Sequence, residues 1–351
     1  MRASFTFTLP PELNAKEPPE RRGIQRDQVR LMVIDRATGG IEHARFDTIG
    51  NYLRAGDLLV FNSSRTLPAS LRGCECGATH GPCVEVRLAE RLPDESWLAL
   101  LLCEQGDPFG CGLRPGMQID FAEGLAATVM ERDVNIPRLW KLRFSVSGTH
   151  LIDLIYRLGK PIRYEYVSAP WDLDYYQTVY ATEPGSAEMP SAGRAFTWKL
   201  LLDLKRRGIE SAYIVLHTGL SSYVDDELDR QHPASEEEYF VSRITAEKIN
   251  RSRENGGRVI AIGTTVVRAL ESVAKDNGRV TEAHGYTRLK IDNHHRLKIV
   301  DGLLTGLHEP EASHLELLSA FLPAAKIQVA YQEAIQCRYL WHEFGDLNLI
   351  L

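Results

Sequence analysis

The stretch Gly256 to Ser272, GGRVIAIGTTVVRALES, sets a glycine, two threonines and an arginine at one predicted strand-to-helix turn. RVIAIG reads as a buried strand, and the spacing of Val266, Val267, Leu270, Val273 and Ala274 predicts the helix after it. In open α/β sheets, ligands lodge beyond the carboxyl ends of strands, where helix N-termini offer unpaired N–H groups and partial positive charge. Gly263 lets a ligand approach the backbone, Thr264 and Thr265 can cap the helix or bind, and Arg268 can fork onto a carboxylate. The chemistry implied is capture of an anionic small molecule. The competing reading is a capping threonine and a surface arginine.

A second strand, YIVLHTGLSSY, ends in His217, Thr218 and Gly219 at the same predicted sheet edge. Histidine is the side chain most easily tuned for proton transfer near neutral pH, and a structural histidine is the alternative. The segment from Tyr175 to Thr197 is a long loop of the kind that tends to carry function, with glycine-rich connection as its plain reading. In CECGATHGPC, Cys74, Cys76, His80 and Cys83 have the types for tetrahedral zinc, but not the spacing of the common paired knuckles, so reduced thiols in a polar hairpin stand beside that reading. The sequence holds no Walker loop, HExxH or nucleophile elbow.

These residues need a scaffold. At 351 residues and 44% hydrophobic, the chain is long enough for two domains. RLMVID (Arg30 to Asp35) and DLLVFN (Asp57 to Asn62) read as strands, the second buried on both faces. From Arg65 to about Gly148, VEVRLAERL, SWLALLL, LAATVMERD and LWKLRFSV read as short strands of a sandwich or barrel. Beyond Leu151, helices alternate with strands: Thr197 as N-cap of WKLLLDLKRRG, Gly208 as its left-handed stop, then SAYIVLHTG, ITAEKINRSRENGG and RVIAIG. This order implies a Rossmann-like parallel sheet. Helices at SHLELLSAFL and KIQVAYQEAIQCRYL complete the expected elements. The net charge of −6 excludes a nonspecific coat for nucleic acid, and the lack of a signal peptide or apolar span predicts a cytoplasmic protein.

Taken together, GDLLVFNSSRTLPASLRG, YYQTVYATEPGS, SAGRAFT, GRVIAIGTTVVRALES, KIVDGLLTGLHEP, LLSAFL, AYQEAI and FGD are collinear over nearly the whole chain. In these segments the sequence resembles the S-adenosylmethionine:tRNA ribosyltransferase-isomerases of queuosine biosynthesis. The resemblance implies an α/β fold: a Rossmann-like domain, residues 1–64 and 151–351, with an inserted closed Greek-key β-barrel domain, residues 65–150. It implies that S-adenosylmethionine donates its ribosyl part, without metal, to a 7-aminomethyl-7-deazaguanine base in tRNA, giving epoxyqueuosine. His217 would then serve as base, with Arg65 and Thr265 at the reacting centre. Gly263, Thr264, Thr265, Arg268 and Thr197 would hold the co-substrate, while Asn62, Tyr176, Gln177, Tyr180 and His308 would meet the acceptor.

Departures from the family pattern matter. Asn62-Ser63-Ser64-Arg65 stands for Asn-Asp-Thr-Arg, Arg163-Tyr164-Glu165-Tyr166 for Leu-Pro-Pro-Tyr, and Ala195 for the histidine of Ala-Gly-Leu-His-Phe-Thr. A methyl group cannot replace an imidazole in proton transfer, and Glu309 and Glu311 would repel phosphates. A divergent member follows, with two further readings: a small-molecule or peptide acceptor, or a silent nucleoside-binding protein.

Overall fold

The computed structural model describes residues 5–75, 83–103, 112–225, 236–309 and 312–351. Strands β1 (Arg30–Ile34), β2 (Ile41–Arg45), β3 (Leu58–Asn62) and the short β4 (Ser64–Thr66) come first. Next come β5 (Ser70–Glu75), β6 (Cys83–Arg91), β7 (Trp97–Cys103), β8 (Gln118–Asp120), β9 (Ala126–Arg132) and β10 (Leu139–Phe144). These six close into an antiparallel barrel in the order β10-β7-β6-β5-β8-β9. The chain continues through α1 (Gly148–Leu158), β11 (Glu183–Ser186), α2 (Trp198–Arg206), β12 (Glu210–Leu216), β13 (Glu237–Val241) and α3 (Arg243–Glu254). It ends with β14 (Val259–Ile262), α4 (Thr264–Val273), β15 (Ala283–Thr287), β16 (Gly302–Gly306), α5 (Ser313–Leu318), α6 (Ala324–Gln336) and β17 (Leu347–Ile350).

The second sheet has nine strands, ordered β15-β13-β12-β3-β14-β16-β17-β1-β2. Its centre, β12-β3-β14-β16, is parallel, and its apolar runs explain why. Along β3, Leu58 and Val60 enter the core on one face while Leu59 and Phe61 enter the core on the other. Val259 and Ala261 of β14 share the first face, Ile260 and Ile262 the second. Ile249 of α3, Val266 and Leu270 of α4 and Ile327 of α6 cover one side; Leu200, Leu201 and Leu204 of α2 cover the other. Thr197 caps α2 by accepting the Leu200 N–H at 3.1 Å, and Gly208 takes a φ of +81° just past its end, both as expected.

Two features differ from the expectation. The flanks of the sheet are antiparallel at β13, β15, β2 and between β16 and β17. The last residues, to which the sequence reading assigned no element, form β17, which runs parallel to β1 and joins both ends of the chain in one sheet. Four residues are too few to display a period, so only pairing defines this strand.

In the barrel, Val84, Val86 and Leu88 alternate inward to meet Trp97, Val129 and Leu142. Leu151, Leu154 and Ile155 of α1 join the same cluster. Cys74 and Cys83 face each other across β5 and β6 with Sγ atoms 2.7 Å apart. Two thiolates on one tetrahedral zinc stand about 3.8 Å apart, so this pair as placed does not frame the ion. Cys76 and His80 lie outside the described residues. Among the described residues, no three or more ligating side chains group for a metal, and no helix is long and apolar enough to cross a membrane.

Candidate functional site

The four parallel strands end together at Leu216, Asn62, Ile262 and Gly306. After β3, the chain reaches β12 on one side and β14 on the other, so the sheet's order reverses there and leaves a crevice at the carboxyl edge. A cavity of about 600 Å³ occupies this edge. That volume suits a cofactor-sized molecule.

One wall is the turn picked out in the sequence. Gly263, Thr264, Thr265 and Arg268 all line the cavity, as do Tyr176 and His308. Gly263 has φ +97°, a conformation glycine adopts at no steric cost, and it turns the first amides of α4 toward the opening. Thr305 Oγ1 and His308 Nε2 are 2.8 Å apart, and the His308 ring stacks on His314 at 5.0 Å. Burial holds His308 well below the usual imidazole range and His314 at about 4, so both rings are neutral at physiological pH.

Arg268 corrects one expectation. It lines the cavity, yet its guanidinium pairs with the Glu237 carboxylate from β13, and both side chains are buried. Burial lowers its pKa to about 10, which leaves it a cation. Its charge is answered from within the protein.

Six other predicted residues do not line this cavity. Asn62 is buried and zips β3 to β12: its Nδ2 donates to Leu216 O at 2.8 Å, and its Oδ1 accepts the Leu216 N–H at 3.0 Å. The same Nδ2 reaches Thr265 Oγ1 at 3.4 Å. His217 lies behind the wall, its Nδ1 2.8 Å from Ser64 Oγ, which is 2.6 Å from Ser186 Oγ. Gly185 leaves room for the imidazole: a Cβ there would come within 2.3 Å of the ring. Burial lowers the His217 pKa, so the ring is a neutral member of a serine network that fixes Thr218, whose N–H donates to Ser186 Oγ at 3.1 Å. Arg65 is exposed with its guanidinium 5.5 Å from the Tyr156 ring centre. Gln177 is held by the Thr66 backbone through both ends of its amide, at 3.1 and 2.7 Å. Tyr180 is core, edge-on to Phe61 at 4.8 Å. Thr197 donates to Asp27 Oδ2 at 2.9 Å while capping α2.

A second group of lining residues was missed. Tyr164 and Tyr166 stack at 5.9 Å, and Tyr166 stacks on His342 at 4.1 Å. Tyr164 donates its hydroxyl to Glu188, and Tyr166 donates to Glu343 Oε2 at 2.7 Å. Burial raises the Glu188 pKa to about 7 and raises that of Glu343. His342 sits at φ +71°, and burial lowers its pKa to about 4. The only local signal was the spacing of Tyr164 and Tyr166, which a turn closed by the Val167 N–H on the Tyr164 carbonyl at 3.1 Å brings together; Glu188 and Glu343 are 155 positions apart and give none. Ala195, where the related family carries histidine, is buried beside Arg194, His342 and Glu343.

Comparison with known proteins covers the whole chain. Residues 2–350 match the family model described as queuosine biosynthesis protein. A protein of Carboxydothermus hydrogenoformans named S-adenosylmethionine:tRNA ribosyltransferase-isomerase is 39% identical over 350 residues, 99% of this chain and 98% of its own. One of the same name from Symbiobacterium thermophilum is 41% identical over 356 residues, covering 99% of each. The crystal structure of S-adenosylmethionine tRNA ribosyltransferase from Thermotoga maritima aligns with a TM-score of 0.55 at 33% identity, covering 99% of each chain.

Proposed function

The chain belongs to the queuosine biosynthesis protein family, and on that premise we propose that it transfers and isomerises the ribosyl moiety of S-adenosylmethionine onto tRNA. The acceptor in this reading is a 7-aminomethyl-7-deazaguanine base, and the product epoxyqueuosine. One observation carries it: full-length identity near 40% to relatives named for this activity. No observation favours a small-molecule or peptide acceptor, or a silent binding protein. A tRNA substrate places the protein in the cytoplasm. Residues 1–64 and 151–351 serve as the catalytic α/β domain and 65–150 as the inserted barrel domain.

The cavity's donor set fits the co-substrate. The first amides of α4, with the hydroxyls of Thr264 and Thr265, suit the methionine carboxylate. When bound, S-adenosylmethionine supplies an electron-poor sulfur that activates the neighbouring ribose carbon. This chain's residues orient it: Asn62 steadies Thr265, and the His217 network steadies Thr218. His217 thus acts in this proposal as a positioning residue. Tyr176, buried against Phe344 at 5.2 Å, offers a rigid face on the acceptor side.

The test is adenine release. Protein and S-adenosylmethionine are incubated with and without queuosine-precursor tRNA, and the products are separated by chromatography. Adenine is expected only when the RNA carries the aminomethyl base; release without RNA, or none with it, overturns the proposal.

A further inference from the structure

Glu188 is a carboxylate with one oxygen saturated and the other open. Its Oε1 accepts from the Tyr164 hydroxyl, from the Ser221 N–H at 2.7 Å and from Ser221 Oγ at 3.0 Å. Tyr164 Oη and Ser221 Oγ lie 2.9 Å apart as neighbours, and with both hydroxyl protons given to Oε1, they and the Ser221 N–H clamp that one oxygen. Thr218 Oγ1 donates to the Glu188 carbonyl at 3.0 Å and fixes its backbone. Oε2 accepts no hydrogen bond from any described residue, and Glu188 lines the cavity.

The arrangement has no internal counter-charge. Tyr164 and Ser221 hydrogen-bond Glu188, and a second carboxylate, Glu343, is held by Tyr166 in the lining of the same cavity. No ion pair joins Glu188 to a lysine, arginine or histidine among the described residues. Arg268, the cation lining the same cavity, is already paired with Glu237. A carboxylate ionised in such a place is costly unless a cation joins it. Glu237 in the same lining meets that cost by pairing with Arg268. Glu188, with no such partner, meets it by holding a proton or by taking a cation from outside.

We infer that Glu188 is a ligand-cation receptor: its Oε2 takes an organic cation, the sulfonium of the donor or the primary ammonium of the acceptor, through a contact that fixes which ligand is accepted. The clamp on Oε1 removes the rotational freedom of the carboxylate, so Oε2 is aimed before the ligand arrives. Glu343, held by Tyr166 in the same lining, is a second carboxyl group whose nearness raises the cost of ionising Glu188 and so favours an arriving cation. The cavity lining is therefore polarised, with the helix N-terminus of α4 suited to an anion and Glu188 to a cation. A donor carrying both a carboxylate and a positive sulfur matches that polarity, and so does a donor carboxylate with an acceptor amine. This inference rests on the proposed function only for the names of the two candidate cations.

Calorimetric titration tests it with two pairs of probes, each differing in one charge. The first pair is S-adenosylmethionine and S-adenosylhomocysteine, which lacks the sulfonium. The second is a stem-loop RNA carrying 7-aminomethyl-7-deazaguanine and the same RNA with 7-methyl-7-deazaguanine. The wild type should prefer the charged member of at least one pair by about tenfold, and Glu188→Gln should reduce that preference to about twofold or less. Loss within the first pair assigns the cation to the donor, and within the second to the acceptor. Ser221→Ala keeps the carboxylate with two of its three donors, the Tyr164 hydroxyl and the backbone N–H of residue 221, and should lower the preference by less than Glu188→Gln does. Equal preferences in the wild type and Glu188→Gln, or no preference in the wild type for either pair, overturn the inference. Adenine release by the wild type is measured alongside: its absence sinks the proposed function and leaves the charge preference readable.

Discussion

The Arg268 guanidinium closes onto the Glu237 carboxylate at the edge of the cavity, and each side chain is only 4% exposed. A helix residue and a strand residue thus cancel each other's charge where the sequence pointed to a free cation for the ligand. Removing one partner leaves the other charge buried alone. Arg268→Ala is expected to cost about 3–5 kcal/mol of stability, whereas the double change Arg268→Met with Glu237→Leu should cost much less. Urea denaturation of the wild type and the two variants checks this; equal losses for the single and double changes would refute it.

Asn62 makes the second prediction. Its amide satisfies both backbone groups of Leu216 and touches Thr265, so Asn62→Leu strands a buried N–H and C=O. A loss of about 2–4 kcal/mol in stability is expected, with a higher KM for S-adenosylmethionine as Thr265 loosens. A variant as stable as the wild type would show the clamp to be dispensable.

Glycine at 263 has a conformational purpose, since the nearest atoms to an added Cβ lie 3.6 Å away and nothing crowds the site. The cost of Gly263→Ala comes from its φ of +97° and should be about 1–3 kcal/mol. Because the strain is relieved by turning the first amides of α4, weaker S-adenosylmethionine binding should accompany it, read by calorimetry.

Glu188 links stability to pH. Its folded pKa of about 7 exceeds the ordinary carboxyl value of 4.5, so the folded state binds a proton more tightly than the unfolded chain. Stability from this group is therefore fully present below about pH 4.5 and is lost as pH rises through 7. The full difference is on the order of 3 kcal/mol, less what water in the cavity screens. Comparing melting at pH 5 and pH 8, Glu188→Gln should lose less stability than the wild type on going alkaline. Parallel curves for the two proteins would contradict the assignment.

By itself the sequence determined the scaffold. Continuous apolar runs such as Leu58 to Phe61 specify central parallel strands, short strand runs divided by turn signals after Arg65 specify the barrel, and Thr197 and Gly208 punctuate a helix, because each of these signals is local. The turn at Gly263 to Thr265 was legible for the same reason: strand, glycine and helix cap follow one another in the chain. Tertiary structure decided which polar side chains face the cavity. His217 and Asn62 sit at the right strand ends, yet their hydrogen bonds to Ser64 and Leu216 turn them into the framework. Glu188, Tyr164, Ser221 and Glu343 come from four separate segments, and Arg268 meets Glu237 across 31 positions. Local spacing records the direction of a backbone. Partners for buried charges are chosen in space, where desolvation makes every unpaired group costly, and that choice leaves no period in the chain.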